Sequence, residues 1–238
     1  RRQRQMCIRD SNGHVEIRSR RALKKFSGGK YLSRRYLSSR RWMSFWHQIN
    51  EVMETGADNV LEIGTGGGIV TQILRALGVS VTTFDIDPET APDVVGDVLE
   101  LRRHFQPASF DCVLCAQVLE HLPFESFEPA LVEIHRVTRR NVVLSLPYRR
   151  RYWGVIARFH LPLGAGRLNI RIPRPVRHVP GDHKWEVGTS GYPVRRIEKV
   201  LRRHFRVERR FYPFENLYHL FFRLRRIDRA VGPRGGGE

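Results

Sequence analysis

Three carboxylates and a run of glycines stand where a nucleotide could be held. Glu62 precedes Gly64-Thr65-Gly66-Gly67-Gly68. Glycines in such a run let the backbone turn sharply and let a ligand approach without meeting a Cβ. Asp85 follows about 20 residues after the glycines, where a carboxylate ending the next strand can accept both hydroxyls of a ribose. Ile86 beside it offers an apolar surface for a base. Asp-Ile-Asp-Pro also suits a helix start, so we assign the cap to Asp87 and the ribose to Asp85. Asp97 closes a third segment, Val94-Val95-Gly96-Asp97-Val98. Two histidines add proton chemistry: His121, and His183 in Gly181-Asp182-His183-Lys184-Trp185-Glu186. An imidazole titrates near neutral pH and can take a proton from a hydroxyl or phenol. A purely structural hydrogen bond is the competing role for His121, and Glu120 could equally fix the loop.

The apolar pattern says which elements would place these residues. Val60 to Ile63 read as a short buried strand, and Ile69, Ile73, Leu74 and Leu77 recur at helical spacing after the glycine turn. Upstream, Trp42, Phe45, Trp46, Ile49, Val52 and Met53 form one stripe, which predicts a helix packed on the sheet and ended by Gly56. Further strands are expected over 79–85, 94–98, 110–116 and 141–146. A helix over 124–137 carries Phe127, Leu131, Ile134 and Val137 on one side. A last helix over 192–205 precedes two aromatic-rich strands, 205–214 and 218–226, read as a hairpin.

The glycine spacing departs from a dinucleotide fingerprint, which needs a small residue where Ile69 stands. Glycines at 64, 66 and 68 behind Glu62, the acidic strand ends Asp85 and Asp97, and Gln117-Val118-Leu119-Glu120-His121-Leu122-Pro123 form a different pattern. It resembles the class I S-adenosylmethionine-dependent methyltransferases, in a bacterial branch with Leu-Glu-His-Leu after the fourth strand. The resemblance covers residues 42–147. It implies an α/β, Rossmann-like, mostly parallel seven-stranded sheet of order 3-2-1-4-5-7-6, with helices on both faces and an insertion after the fifth strand. It also implies S-adenosyl-L-methionine as cofactor. Glu62, Gly64, Thr65, Gly66 and Gly68 would then surround its aminoacyl part, and Asp85 and Ile86 its ribose and adenine. Asp97 and the Val98 amide would meet the adenine edge, and Gln117 would lie beside the methionine moiety. The expected reaction is methyl transfer to a small-molecule or lipid-linked acceptor, with His121 and His183 as candidate bases.

The net charge of +18 is unevenly spread. Residues 1–41 carry +12, 42–148 carry −9, and 149–180 and 195–238 carry +8 each. Basic flanks around an acidic half suit an anionic partner. Arginine supplies 37 of the 42 basic side chains, which codon drift in a GC-rich genome would also produce. A nucleic-acid methyltransferase using these flanks, and a non-catalytic basic binding protein on the same fold, are therefore the alternatives. Against the former, Gln117-Val118-Leu119-Glu120 stands where a base-methylating enzyme would carry an Asn-Pro-Pro-Tyr-type motif. The 148–191 insertion opens with Tyr148-Arg149-Arg150-Arg151-Tyr152-Trp153, and Tyr152, Trp153, Ile156 and Phe159 can share a helical face. That face suits a lid helix, or a segment lying on an anionic membrane surface.

Cys112 and Cys115, three apart in one expected strand, face opposite sides and read as core thiols of a cytoplasmic protein. No His-Glu-x-x-His or paired Cys-x-x-Cys occurs, so no metal site is expected. No apolar run is long enough to span a membrane. Residues 6–11 read as a translated sequencing adapter, which makes 1–11 an expected artefact. Residues 12–41 are then a basic arm, either solvated or a lid that meets substrate with Tyr31 and Tyr36. Residues 42–231 are one domain and 232–238 a frayed tail.

Overall fold

The structure, a computed structural model, describes residues 31, 36–149, 151–161, 164–174 and 182–227. The 1–11 segment, most of the 12–41 arm, residues 175–181 and the 232–238 tail lie outside the described residues. In chain order the elements are α1 (Ser39–Met53), β1 (Asn59–Ile63), α2 (Ile69–Ala76), β2 (Ser80–Asp85), β3 (Val94–Val95), β4 (Phe110–Ala116), α3 (Phe127–Val137) and β5 (Thr138–Pro147). They continue with β6 (Arg151–Leu161), β7 (Gly164–Arg174), α4 (Val194–Leu201), β8 (Phe205–Phe211) and β9 (His219–Arg226). Seven strands form one sheet in the order β3-β2-β1-β4-β5-β9-β8, while β6 and β7 pair separately. The first five sheet strands run parallel, and β9 is antiparallel to both β5 and β8. The expected sheet order is the observed one, with the hairpin supplying its sixth and seventh strands.

Burial on both faces explains why the central strands read as continuous apolar runs. Along β4, Val113 and Cys115 join one core with Leu61, Ile63, Phe127, Ile134, Ile197 and Leu201. Cys112 and Leu114 join the other, with Val60, Val52, Val70 and Leu74. Helices α3 and α4 thus cover one face, and α1 and α2 the other. Each thiol is buried in its own core; burial pushes Cys112 up to about 12 and raises Cys115 as well, so both stay protonated and inert.

Three expectations are corrected. Helix α1 buries its expected stripe only in part: Val52 is buried and Phe45 and Ile49 pack on the core, but Trp42 and Trp46 are each 50% exposed. Ser44, Gln48 and Glu51 are buried beside Val52. The polar residues point inward because partners wait there. Asn216 donates to the Ser44 hydroxyl at 2.9 Å, and Arg209 from β8 reaches Glu51 at 2.5 Å. The start of the insertion is not a lid helix either, since Arg151–Leu161 is a strand paired antiparallel with Gly164–Arg174. A short apolar run does not distinguish the two by periodicity, and the second strand, which satisfies the first one's backbone, was not read from the sequence. The third sheet strand is also shorter than expected, because Asp97 already caps the 3₁₀ turn Val98–Arg103.

Candidate active site

The glycine turn is built at the carboxyl end of β1. Gly64 has φ +81°, and a Cβ there would run into Val118, which follows β4. Gly68, at φ +69°, caps α2 in the left-handed region that a side chain would resist. Asp85 ends β2 alongside. One of its oxygens accepts the Thr65 amide at 2.8 Å and the other the Asp87 amide at 3.0 Å. These bonds lock the carboxylate against the turn and leave each oxygen a lone pair for a further donor. Asp87 is the cap, accepting the Glu89 amide at 2.9 Å.

These residues open onto a cavity of about 440 Å³ at the carboxyl ends of the strands. Glu62, Gly64, Thr65, Gly66, Asp85, Ile86, Asp97, Val98, Gln117 and His121 all line it. Gly68 and His183 are not among the lining residues. Asp97 spends one oxygen on the Leu99 amide, at 2.9 Å. Glu62 is buried and accepts a hydrogen bond from the Thr71 hydroxyl; burial lifts its carboxyl to about 7. Gln117 holds φ +58°, uncommon for a side-chain-bearing residue, with its amide on the Ser145 carbonyl at 2.9 Å and its Nε2 on the Ser145 hydroxyl at 2.8 Å.

The cavity is also lined by residues the motif did not mark. Tyr31, Tyr36, Arg41, Gln48 and His219 all face it. The Tyr31 and Tyr36 rings meet edge-on at 5.3 Å, and Arg41 lies over the Tyr36 ring at 4.0 Å. Burial, with help from Asp85 and Asp87, raises the Tyr31 phenol. His219 is buried at the start of β9, and burial together with Arg41 and His183 lowers its imidazole to about 3, so it is neutral. A signal for Gln48 existed in the sequence: Ser44, Gln48 and Glu51 repeat at helical spacing, a second stripe hidden behind the aromatic one. His219 had none, being one polar position in an aromatic-rich strand.

Beside His121 the chain builds a polar network from the His183 loop. Lys184 donates its amide to the Glu120 carbonyl at 2.8 Å, and the Trp185 indole donates to the Leu122 carbonyl at 3.1 Å. Trp185 is fully buried among Phe124, Phe127 and Tyr192. The loop is thereby pinned to the turn after β4, with the His121 and His183 rings 4.8 Å apart. Glu186 accepts from His183 Nδ1 at 2.8 Å, and from Tyr218 and Arg149 at 2.5 Å each. Burial acts to raise the Glu186 carboxyl, but these three bonds outweigh it and hold it below the usual carboxylate range. The bond to Glu186 in turn raises His183. Glu120 is buried, and that burial pushes its carboxyl up to about 8.

Residues 61–146, which carry Glu62, the glycine turn, Asp85 and Asp97, match a protein-family profile described as a methyltransferase domain. The fold is the Rossmann-like methyltransferase fold. Among solved structures that share it is the 1,6-didemethyltoxoflavin-N1-methyltransferase of Burkholderia thailandensis. It is 17% identical with a TM-score of 0.55, over 88% of this chain and 87% of that one. An N-methyltransferase of Bradyrhizobium japonicum, solved with S-adenosylhomocysteine, is 13% identical with a TM-score of 0.56, over 87% of this chain and 98% of that one. In sequence the chain is similar to the ubiquinone biosynthesis O-methyltransferase of Xanthomonas euvesicatoria, 33% identical over 85 residues, or 30% of this chain and 35% of that protein. The corresponding protein of Idiomarina loihiensis is 31% identical over 99 residues, 32% of this chain and 41% of that one. The match therefore spans little more than a third of these relatives' length.

Proposed function

We propose that the chain is an S-adenosyl-L-methionine-dependent methyltransferase acting on a small-molecule or lipid-linked acceptor. One observation carries this reading: Asp85 and the Gly64–Gly68 turn, joined by the 2.8 Å bond from the Thr65 amide, open into the same cavity as His121 and His219. The residues present fit the cofactor. The buried Thr65 hydroxyl oxygen has no hydrogen-bond partner among the described residues, and it sits in the turn where a polar aminoacyl group would satisfy it. Asp85 offers its remaining lone pairs to a ribose, exposed Ile86 an apolar surface to the base, and Asp97 its second oxygen to an amino group. When bound, the cofactor supplies an electrophilic methyl group on a sulfonium. The chain's own task is then to orient the acceptor in line and to exclude water, which can supply most of the acceleration.

Gln117, His121 and His219 also line the cavity and would orient the acceptor. His183, with Nδ1 committed to Glu186, presents Nε2 as a proton acceptor close to His121. The similarity to O-methyltransferases of ubiquinone biosynthesis favours a hydroxyl or phenol on a small or lipid-linked molecule. A nucleic-acid acceptor reached through the basic flanks is the second reading, motivated by the +18 charge. Methyl-labelled cofactor and a bacterial extract test both, with Asp85→Ala as the control. Label in lipid or small-molecule fractions supports the first, label in RNA the second, and label in neither sinks both.

A further inference from the structure

We propose that Glu120, His121 and His183 bind one first-row divalent cation beside the cavity that His121 lines. One carboxylate oxygen and two imidazole nitrogens come together there, all within 4.8 Å of one another. The sequence hides the set, because two ligands precede the sheet's fifth strand and the third comes from the loop pinned by Trp185.

Glu120 points to a missing partner. Its side chain is 0% exposed, and neither carboxylate oxygen receives a hydrogen bond from another described residue. A buried carboxyl left this way loses the hydration it had in the unfolded chain and gains nothing in return. Yet Glu120 Oε1 lies only 3.9 Å from His183 Nε2. That gap is too long for a hydrogen bond. It is the separation, about 3–4 Å, left between two ligand atoms that each sit about 2 Å from a shared metal.

The surroundings fix the donor atoms as a metal site requires. Glu186 accepts a hydrogen bond from His183 Nδ1–H at 2.8 Å, so the Nε2 lone pair is the one turned toward Glu120. Carboxylate–histidine–metal relays of this kind set the tautomer and the ring angle. Arg149 and Tyr218 hold Glu186 in its turn, and the Lys184 amide ties the His183 loop to the Glu120 carbonyl. His121 lines the cavity, so a cation held here keeps open positions facing it. One carboxylate with two imidazoles favours zinc, iron(II), cobalt(II) or nickel(II) over magnesium or calcium.

The cation's role, though not its binding, rests on the methyl-transfer reading above. Its open positions would take the oxygen of a hydroxyl or phenol acceptor. That oxygen would then release its proton to solvent water more readily, leaving an oxyanion facing the cavity.

The test uses the purified full chain, freed of metal by chelator and titrated with Co²⁺ while visible absorption is recorded. One equivalent should give ligand-field bands of a site with nitrogen and oxygen donors. Glu120→Gln and His183→Ala should each weaken Co²⁺ binding by at least about 10- to 100-fold, and so should Glu186→Gln through the His183 ring. S-adenosylhomocysteine affinity, measured in parallel, should not change in Glu120→Gln. Absence of the bands in the parent, or equal Co²⁺ affinity in Glu120→Gln, His183→Ala and the parent, overturns the proposal. Should Glu120→Gln fail to fold, the exposed His121→Asn gives the same comparison. A parent that binds Co²⁺ but no S-adenosylhomocysteine would overturn the methyltransferase reading and leave the metal site standing.

Discussion

His183 Nδ1 lies 2.8 Å from Glu186 Oε1, three residues further along the same loop. The pair is fastened at one end by the Trp185 indole between them, on the Leu122 carbonyl, and at the other by Arg149 and Tyr218 on Glu186. A loop far along the chain from the glycine turn thus becomes a fixed wall beside the turn after β4.

Trp185→Ala should release that wall. A fully buried indole replaced by a methyl typically costs about 3–5 kcal/mol, here with the loss of the bond to Leu122 as well. We expect a large fall in the urea midpoint. Amide exchange should quicken at Lys184, whose N–H is on Glu120. Unchanged protection at Lys184 would show that the loop is held by something else.

Asp85→Asn keeps the shape of the strand end and removes its charge. Hydrogen bonds to a charged group are worth roughly 1.5–3 kcal/mol each, so S-adenosylhomocysteine affinity should drop by at least about 10-fold by calorimetry. Asp85→Ala should drop it further, because the Thr65 amide also loses its acceptor. Equal affinity in both variants and the parent would remove Asp85 from the ribose.

Glu62 gives a pH dependence of stability. Burial holds its carboxyl at about 7, above the ordinary value of 4.5. The fold therefore favours the protonated form: its contribution is complete below about pH 4.5 and is lost as pH rises through about 7. Glu62→Gln, which cannot ionise, should be the more stable protein at about pH 8, by on the order of 2–3 kcal/mol. The two proteins should converge toward pH 5. Parallel stability curves across that range would contradict the burial argument.

Gly64→Ala forces a side chain into φ +81° and against Val118. Strain and overpacking together should cost about 2 kcal/mol or more, and should displace the turn from Asp85. A matching loss of S-adenosylhomocysteine affinity is expected, whereas Gly78→Ala, with open space around its φ +91°, should cost strain alone and leave affinity unchanged.

Much of this protein was legible in one dimension. The glycine run, the acidic strand ends and the period of the apolar residues are local signals, and each is read within one strand–turn–helix unit. Sheet order followed from the resemblance those signals carry, and ten of the twelve residues marked from the motifs line one cavity. The larger failures were cases in which a distant partner decided. Helix α1 turned its polar side inward because Asn216 and Arg209, from the far end of the chain, supply bonds there that tryptophan could not make. Residues 151–161 became a strand because residues 164–174 offered a pairing edge. The Glu120, His121 and His183 cluster could not be seen from spacing, since its ligands meet only after Trp185 pins one loop to another. Sequence periodicity encodes which face of an element is apolar; which polar groups end up within reach of one another is set only when the elements have packed.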